Sequence, residues 1–237
     1  MSYFLQLIKT KRMKKTVLTG LIMCGMVFGS VAQTRTPAAA SGQSDPKAKA
    51  VLDNVSKKFK SLKSVIANFI LKIEGANNSV SDSKKGSVYV KGPKYKVVMG
   101  EQEIISDNQT SWTYVKDVNE VTISNVDHSN NSMTPAKIFT NFYDKDFLYR
   151  LTGESTEKGK VLQNIELTPT DKSKTFFKVL VDVDKKTQTL ARMKVFEKNG
   201  NKYTYEISNF TPNGAVSDAT FTFDPSKYPG VEVVDLR

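Results

Sequence analysis

Residues 65–73 alternate strictly: Val65, Ala67, Phe69, Leu71 and Ile73 fall on one side of an extended chain, and Ile66, Asn68, Ile70 and Lys72 on the other. Successive strand side chains point to opposite faces, so a period of two predicts a half-buried β-strand. Residues 86–123 continue in shorter runs rich in β-branched and aromatic residues, punctuated by Gly92-Pro93, Gly100 and the polar cluster 106–109. That pattern predicts four or five antiparallel strands joined by tight turns. Within the run 111–115, Trp112 and Tyr114 share one face, which therefore needs a cover. Further strands are predicted over 148–151, 161–168, 175–182, 190–198, 202–210, 220–223 and 231–234, and residues 75–85 read as a polar loop. Asn199-Gly200 predicts a type I′ hairpin, in which both central residues have positive φ. Two stretches follow a helical period instead. Asp45 as N-cap and Pro46 at the first turn open a helix through Lys63, with Ala48, Val51, Leu52, Val55, Phe59 and Leu62 on its apolar face. After a break over 125–132, Thr134-Pro135 begins a second helical segment carrying Ile138, Phe139, Phe142 and Tyr143. Roughly ten strands and two or three helices without βαβ alternation place the chain in the α+β class, one domain with helices on one face of an antiparallel sheet.

The N-terminus obeys a different logic. Lys9, Lys11, Arg12, Lys14 and Lys15 precede an uncharged apolar run over 17–32 that ends in Ser30-Val31-Ala32, a small-x-small cleavage pattern. The expectation is a signal peptide over 1–32, a flexible Ala- and Ser-containing tether over 33–44, and a folded domain over 45–237. Met13 followed by two lysines would itself serve as a start. Cys24, the only cysteine, lies inside the apolar run, and the bulky Met23 before it does not suit an acylated first residue. Cleavage after Ala32 leaves no thiol, hence no disulfide. It also removes five of the 35 basic residues and none of the 24 acids, lowering the net charge from +11 to +6. Lysines dispersed over many segments describe a solvated surface rather than a nucleic-acid groove. The lysines of the first helix, Lys47, Lys49, Lys57, Lys58 and Lys60, read as an ordinary solvated face, with contact to an anionic membrane surface as the alternative.

Catalytic chemistry finds little material. His128 is the sole histidine and sits in a polar loop with no His or Cys to complete a zinc site or nucleophile pair. Asp107, Asp182 and Asp184 lie where turns use Asp to bind local amides. The 13 glycines form no phosphate-binding loop. A surplus of aromatic and aliphatic side chains remains, explained by core packing or by an apolar ligand cavity.

The series Gly86, Lys91-Gly92-Pro93, Ile104-Ile105-Ser106-Asp107, Trp112-Thr113-Tyr114 and Glu120-Val121, followed by Thr134-Pro135, resembles the LolA family of periplasmic lipoprotein carriers. The end agrees, with Asn213-Gly214-Ala215-Val216, then Phe221-Thr222-Phe223-Asp224-Pro225 and Gly230-Val231. The resemblance implies an incomplete antiparallel β-barrel of about ten to eleven strands, whose apolar cavity is covered by a helical lid. It implies a lipid-binding cavity lined by Phe69, Tyr95, Val97, Trp112 and Tyr114, and a lid containing Ile138, Phe139 and Phe142. One position departs from the family: the residue before the strand proline, an arginine that latches the lid in well-studied members, is Gly92 here. Lys91 or Lys94 would substitute only by reaching the lid.

The implied role is that of a non-enzymatic periplasmic chaperone without cofactor or metal. It would take acylated lipoproteins from the inner-membrane Lol ABC transporter and pass them as a monomer to an outer-membrane acceptor. A lipid-binding sensor module of envelope-stress signalling and an enzyme built on the same half-barrel are the competing expectations, the latter poorly served by the missing catalytic groups.

Overall fold

A computed structural model describes residues 44–77, 79–128, 143 and 146–237. The expected signal peptide, nearly all of the tether, and Ile138, Phe139 and Phe142 lie outside the described residues. The first described element is helix α1 (Pro46–Lys60). Twelve strands follow: β1 (Val65–Glu74), β2 (Val80–Lys91), β3 (Lys94–Met99), β4 (Gln102–Ser106), β5 (Thr110–Val115), β6 (Glu120–Asn125), β7 (Phe147–Glu157), β8 (Lys160–Pro169), β9 (Phe176–Asp184), β10 (Thr189–Glu197), β11 (Lys202–Pro212) and β12 (Glu232–Asp235). They form one sheet in the order β12-β6-β5-β4-β3-β2-β1-β11-β10-β9-β8-β7, so among the described residues β7 and β12 are the edge strands and the barrel is incomplete.

Most boundaries follow the pattern of alternation, and the exceptions have physical causes. The polar loop is confined to residues around 75–79, because β2 already begins at Val80 and pairs through Asp82 with Ile73 of β1. The last strand is not antiparallel: β12 runs parallel to β6, with Val233 beside Val121. Thr220 and Phe221, expected in a strand, belong to a single 3-10 turn over Asp218–Phe221, which Ser217 caps by accepting from the Ala219 N–H. Asn199-Gly200 does not form a type I′ turn, since Gly200 has φ of 90° and Asn199 lacks a positive φ. The Gly200 N–H donates to Glu197 O at 3.1 Å and the Glu197 N–H to Asn201 O at 2.9 Å, the pattern of a type I turn closed by a left-handed glycine bulge. Two successive positive φ angles instead occur at Lys158 and Gly159, between β7 and β8.

Asp45 fixes the helix to the sheet. Its carboxylate caps α1 by accepting from the Lys47 N–H at 2.8 Å, and its other oxygen accepts from the Leu151 N–H at 3.1 Å. Its own N–H donates to Tyr149 O at 2.9 Å. One residue thus satisfies an orphan amide of the helix and main-chain groups of the unpaired β7 edge. Ala48 and Leu52 then turn inward and join Tyr149, Leu167, Met193 and the rest of the principal core. Burying Leu52 contributes about 1.5–3 kcal/mol, which anchors a helix too short to be stable alone.

The Asp45 carboxyl is held below its ordinary value of 3.8, chiefly by the Lys47 amide and next by that of Leu151. A depressed folded-state pKa supplies stability that is present above the unfolded value and lost as pH falls through the folded one. Asp45→Ala is expected to cost about 2 kcal/mol by urea unfolding, and Asp45→Asn, which retains one acceptor, less than half of that. The gap between wild type and Asp45→Asn should narrow as pH drops below about 4. A gap independent of pH would show that the ionised carboxylate does not join helix to edge.

Candidate functional site

Strand register lays the inner face out in rows. One row runs Val65, Val90, Tyr95, Ser106 and Ser111; the next Ala67, Val88, Val97, Ile104 and Thr113; a third Phe69, Gly86, Met99, Gln102 and Val115. Across β1 the surface continues through Leu71, Tyr205, Met193, Val181, Ile165 and Leu151. All six of these, with Phe69, Val88, Val97, Met99 and Ile104, belong to or pack against the core cluster that contains Ala48 and Leu52 of α1. The result is a broad aliphatic and aromatic surface shared by both arms of the sheet.

Phe69 is central to it. Its ring lies over Gly86, its cross-strand partner, and a Cβ at Gly86 would sit 2.3 Å from Phe69 Cζ. On the other side its centroid is 6.3 Å from that of Tyr205, tilted by 52°. The glycine is therefore required by close approach, the ring filling the space a side chain would occupy. Polar side chains on this face gather toward β4 and β5, as Ser106, Ser111, Thr113 and Gln102. Tyr95 is mostly buried, which raises its phenol pKa, while hydrogen bonds with Ser106 and Ser111 pull the other way. Burial also drives the Tyr205 phenol far above its usual range. Tyr143 is buried against the same cluster, edge-on to Tyr149 at 6.0 Å, and donates to Asp53 Oδ1 of α1 at 2.7 Å. Burial raises the Asp53 pKa, but the bonds from Tyr143 and Lys49 outweigh it and leave the carboxyl below its ordinary value.

The five cavity residues expected from the sequence are divided between the two faces. Phe69, Tyr95 and Val97 lie together on the inner face. Trp112 and Tyr114 do not: register pairs them with Ile105 and Glu103, whose side chains point to the outer face. There they pack in a second cluster with Ile105, Val121 and Phe223, joined by Tyr228 and Val231. The cover that this aromatic face requires is the chain's own C-terminal segment. Tyr228 stacks on Phe223 at 4.4 Å and meets Tyr114 at 4.5 Å. Its hydroxyl donates to Glu103 Oε2 at 3.0 Å, and burial followed by the Glu103 charge pushes its pKa up to about 12. Inner-face residues that sequence reasoning missed, Val88, Val90, Met99 and Ile104, carry the same period-two signal and emerge once the turns fix which strand positions pair.

Gly92 sits at the lip of a cleft of ≈ 320 Å³ between the end of α1 and the sheet, lined by Phe59, Lys60, Leu62, Ser64, Val65, Val90, Gly92 and Pro93. Its φ is +58°. Since proline holds φ near −65°, Gly92-Pro93 makes the type II′ connection, which places glycine first. The two neighbouring lysines share one carboxylate: Lys91 and Lys94 bind opposite oxygens of Asp218 at 2.9 and 3.1 Å. Elsewhere, Asp107 accepts from the Gln109 and Thr110 amides, and Asp184 from those of Lys186 and Thr187, as turn residues do. Asp182 differs, holding Arg192 at 2.7 Å and Asn164 on the outer face. Among the described residues no three His, Cys, Asp or Glu side chains gather as a metal site, and no helix is long and apolar enough to cross a membrane.

Gly86→Val is expected to expel the Phe69 ring and cost about 1–3 kcal/mol of stability. The double variant with Phe69→Ala should recover part of that loss in denaturant titrations, because the valine then fills the vacated space; strict additivity would dismiss the contact. Gly92→Arg, which would put the family's arginine back at this position, meets a left-handed backbone. It should cost about 1–2 kcal/mol by the same titration.

Comparison with known proteins agrees with this architecture. The family described as "Outer membrane lipoprotein carrier protein LolA" matches residues 60–224. An outer-membrane lipoprotein carrier protein of Haemophilus influenzae is 34% identical over 137 residues, which is 58% of this chain; the chain spans 62% of that relative's length. Among solved structures, an uncharacterized conserved protein of Thermus thermophilus superposes with a TM-score of 0.56 at 14% identity, covering 80% of this chain and 99% of the other. The lipoprotein LppX of Mycobacterium tuberculosis gives 0.48 at 16% identity, covering 73% and 99%. With the family pattern extending over more than half of its residues, from the end of α1 to the C-terminal 3-10 turns, this chain belongs to the LolA family.

Proposed function

We propose that this protein is a periplasmic carrier that shields the acyl chains of lipoproteins on its inner face, taking them from an inner-membrane Lol ABC transporter and releasing them to an outer-membrane acceptor. The observation that supports this reading is the apolar surface running through Leu71, Phe69, Val97 and Ile104 on one arm and Tyr205, Met193, Val181 and Ile165 on the other, partnered by a separate helix rather than by a second sheet. Hydrocarbon binding needs area and shape but no directed polar groups, and the surface around Phe69 supplies both. The similarity to a lipoprotein carrier of Haemophilus influenzae points the same way.

Energetics make such a carrier necessary. Each buried methylene contributes about 0.8 kcal/mol, so a protein with two or three long chains is effectively held in its bilayer unless the chains are shielded on leaving it. Transfer onward also requires that the carrier hold them less favourably than the acceptor does. A helix tied at its N-terminal end by Asp45, with a cleft beside its C-terminal end, suits a surface that exposes itself from one side. The function requires no bond to be made or broken.

Separation of the two aromatic faces supplies the test. Ile104→Glu, checked for intact strand signal by circular dichroism, should lower acceptance of a triacylated peptide roughly ten-fold, equivalent to about 1.4 kcal/mol. Trp112→Leu, on the outer face, should leave acceptance unchanged while loosening the C-terminal segment. Equal loss in both variants, or none in a folded Ile104→Glu protein, would remove the inner face from the binding role.

A further inference from the structure

The C-terminal end of α1 shares one end of the half-barrel with the turns β7-β8 and β9-β10. Between them lies a second cleft, of ≈ 980 Å³, lined by apolar side chains including Val161, Leu190, Ile207 and Phe210 and rimmed by Lys58, Lys160, Lys185 and Lys186. Leu190, Ile207 and Phe210 also pack against the principal core, so the cleft borders the inner face. Two of the rim lysines have acidic neighbours: Lys185 binds Glu154 at 2.7 Å and Lys160 lies 3.9 Å from the buried Asp184. Lys57, Lys58, Lys60, Lys63, Lys158 and Lys186 are exposed and form no ion pair among the described residues. The favourable interaction of cations with a helix C-terminus accounts for lysines in the last turn of α1. It does not account for lysines on the two facing turns, which belong to different elements.

We infer that this end of the molecule docks on a bilayer surface containing anionic phospholipid, the lysines meeting headgroup phosphates and the apolar cleft facing the headgroup boundary. Charge complementarity selects this occupant: Lys58 and Lys186 on the rim, with Lys57, Lys60, Lys63 and Lys158 on the adjoining helix end and turn, put exposed ammonium groups without ion pairs among the described residues beside a partly apolar floor, which matches an anionic interface whose potential acts within a Debye length of the surface. Val161, 40% exposed at the lip, is of the type that enters the boundary region. The cleft bearing Gly92 opens beside the same helix end, so docking would set the route to the inner face against the membrane that holds the cargo. The purpose of docking rests on the carrier reading; the contact itself does not.

The test is flotation of the purified protein, without cargo, on vesicles containing phosphatidylglycerol and on vesicles of phosphatidylcholine alone. Partition onto the anionic vesicles is expected, with loss toward about 1 M salt. Each neutralised lysine should cost roughly five-fold in vesicle affinity, so Lys58→Glu with Lys186→Glu should fall beyond about 25-fold. The charge-matched pair Lys84→Glu with Lys116→Glu, in β2 and in the turn after β5, away from this cleft, should stay within about two-fold. Absence of partition, equal partition onto both vesicles, or equal loss in the two double variants would each overturn the inference. Acceptance of an acylated peptide in vesicle-free solution is measured on the same protein. Protein that accepts peptide but ignores anionic vesicles overturns docking alone, and protein that docks but accepts no peptide overturns the carrier reading alone.

Discussion

The inner face of an unclosed sheet is the constraint that shapes this molecule. Twelve strands carrying Leu71, Val97, Ile165, Val181 and their neighbours on one side create an apolar surface that must be kept from water. A closed barrel would bury such a surface permanently and abolish its edges. Here the sheet remains open, so burial must come from elements laid across it, and the edges must be managed separately. Asp45 meets both demands at the β7 edge, by starting the covering helix and satisfying strand main-chain groups with one residue. At the other edge, β12 covers β6 in parallel, held by the Glu232 N–H donating to Asn119 O and the Leu236 N–H to Ile123 O.

The outer face is handled differently in its two halves. Along β1 and β7 to β11 it carries charged pairs, among them Lys72 with Glu206 and Arg192 bridging Asp182 and Glu157. Around β4, β5 and β6 it is aromatic, and the C-terminal segment folds back to seal it with Phe223 and Tyr228. Asn119 ties the seal, accepting from the Tyr114 hydroxyl while its amide donates to Pro229 O. Its left-handed backbone, φ 49°, is one that asparagine tolerates better than most residues. The aromatic surplus therefore serves two purposes: a small sealed core outside, and a large face inside covered by a separate helix.

Much of this architecture was legible in the chain. Alternation from Val65 to Ile73 gave β1 and its buried side, and Asp45-Pro46 marked the helix start because capping and a proline-compatible first turn are local properties. Face assignment beyond a single strand was less accessible. Trp112 and Tyr114 share a face, as alternation requires, but which face depends on the register set by the turns on both sides of β4, and one position of slip inverts the answer. Thr220 and Phe221 have strand-like composition yet lie in a 3-10 turn, because Phe221 is wholly buried where the chain crosses β3 and β4. Asn199-Gly200 misled for a related reason: the hairpin takes a longer loop whose bulge packs Gly200 closely on Ala76. The clefts at the end of α1 combine side chains from several elements far apart in the chain and leave no signature in any one stretch.

The two ends of α1 differ in a way that bears on the proposed carrier role. At its N-terminal end the helix is hydrogen-bonded to β7 through Asp45, and Tyr143 reaches Asp53 nearby. At its C-terminal end, Ser61 closes the last turn on the carbonyls of Lys57 and Lys58, the Lys63 N–H donates to Asn213 Oδ1, and clefts open on either side of the point where Phe59 and Leu62 pack on the core. Free energy of local opening follows the density of buried contacts and protected hydrogen bonds, and among the described residues the clefts are where the helix end is least enclosed. A long hydrocarbon chain gains most of its transfer energy in proportion to length, so exposure beginning at one end permits methylenes to leave a few at a time, each partly compensated by entry into the next apolar environment. A cover fixed all round would instead demand that the whole surface be bared at once.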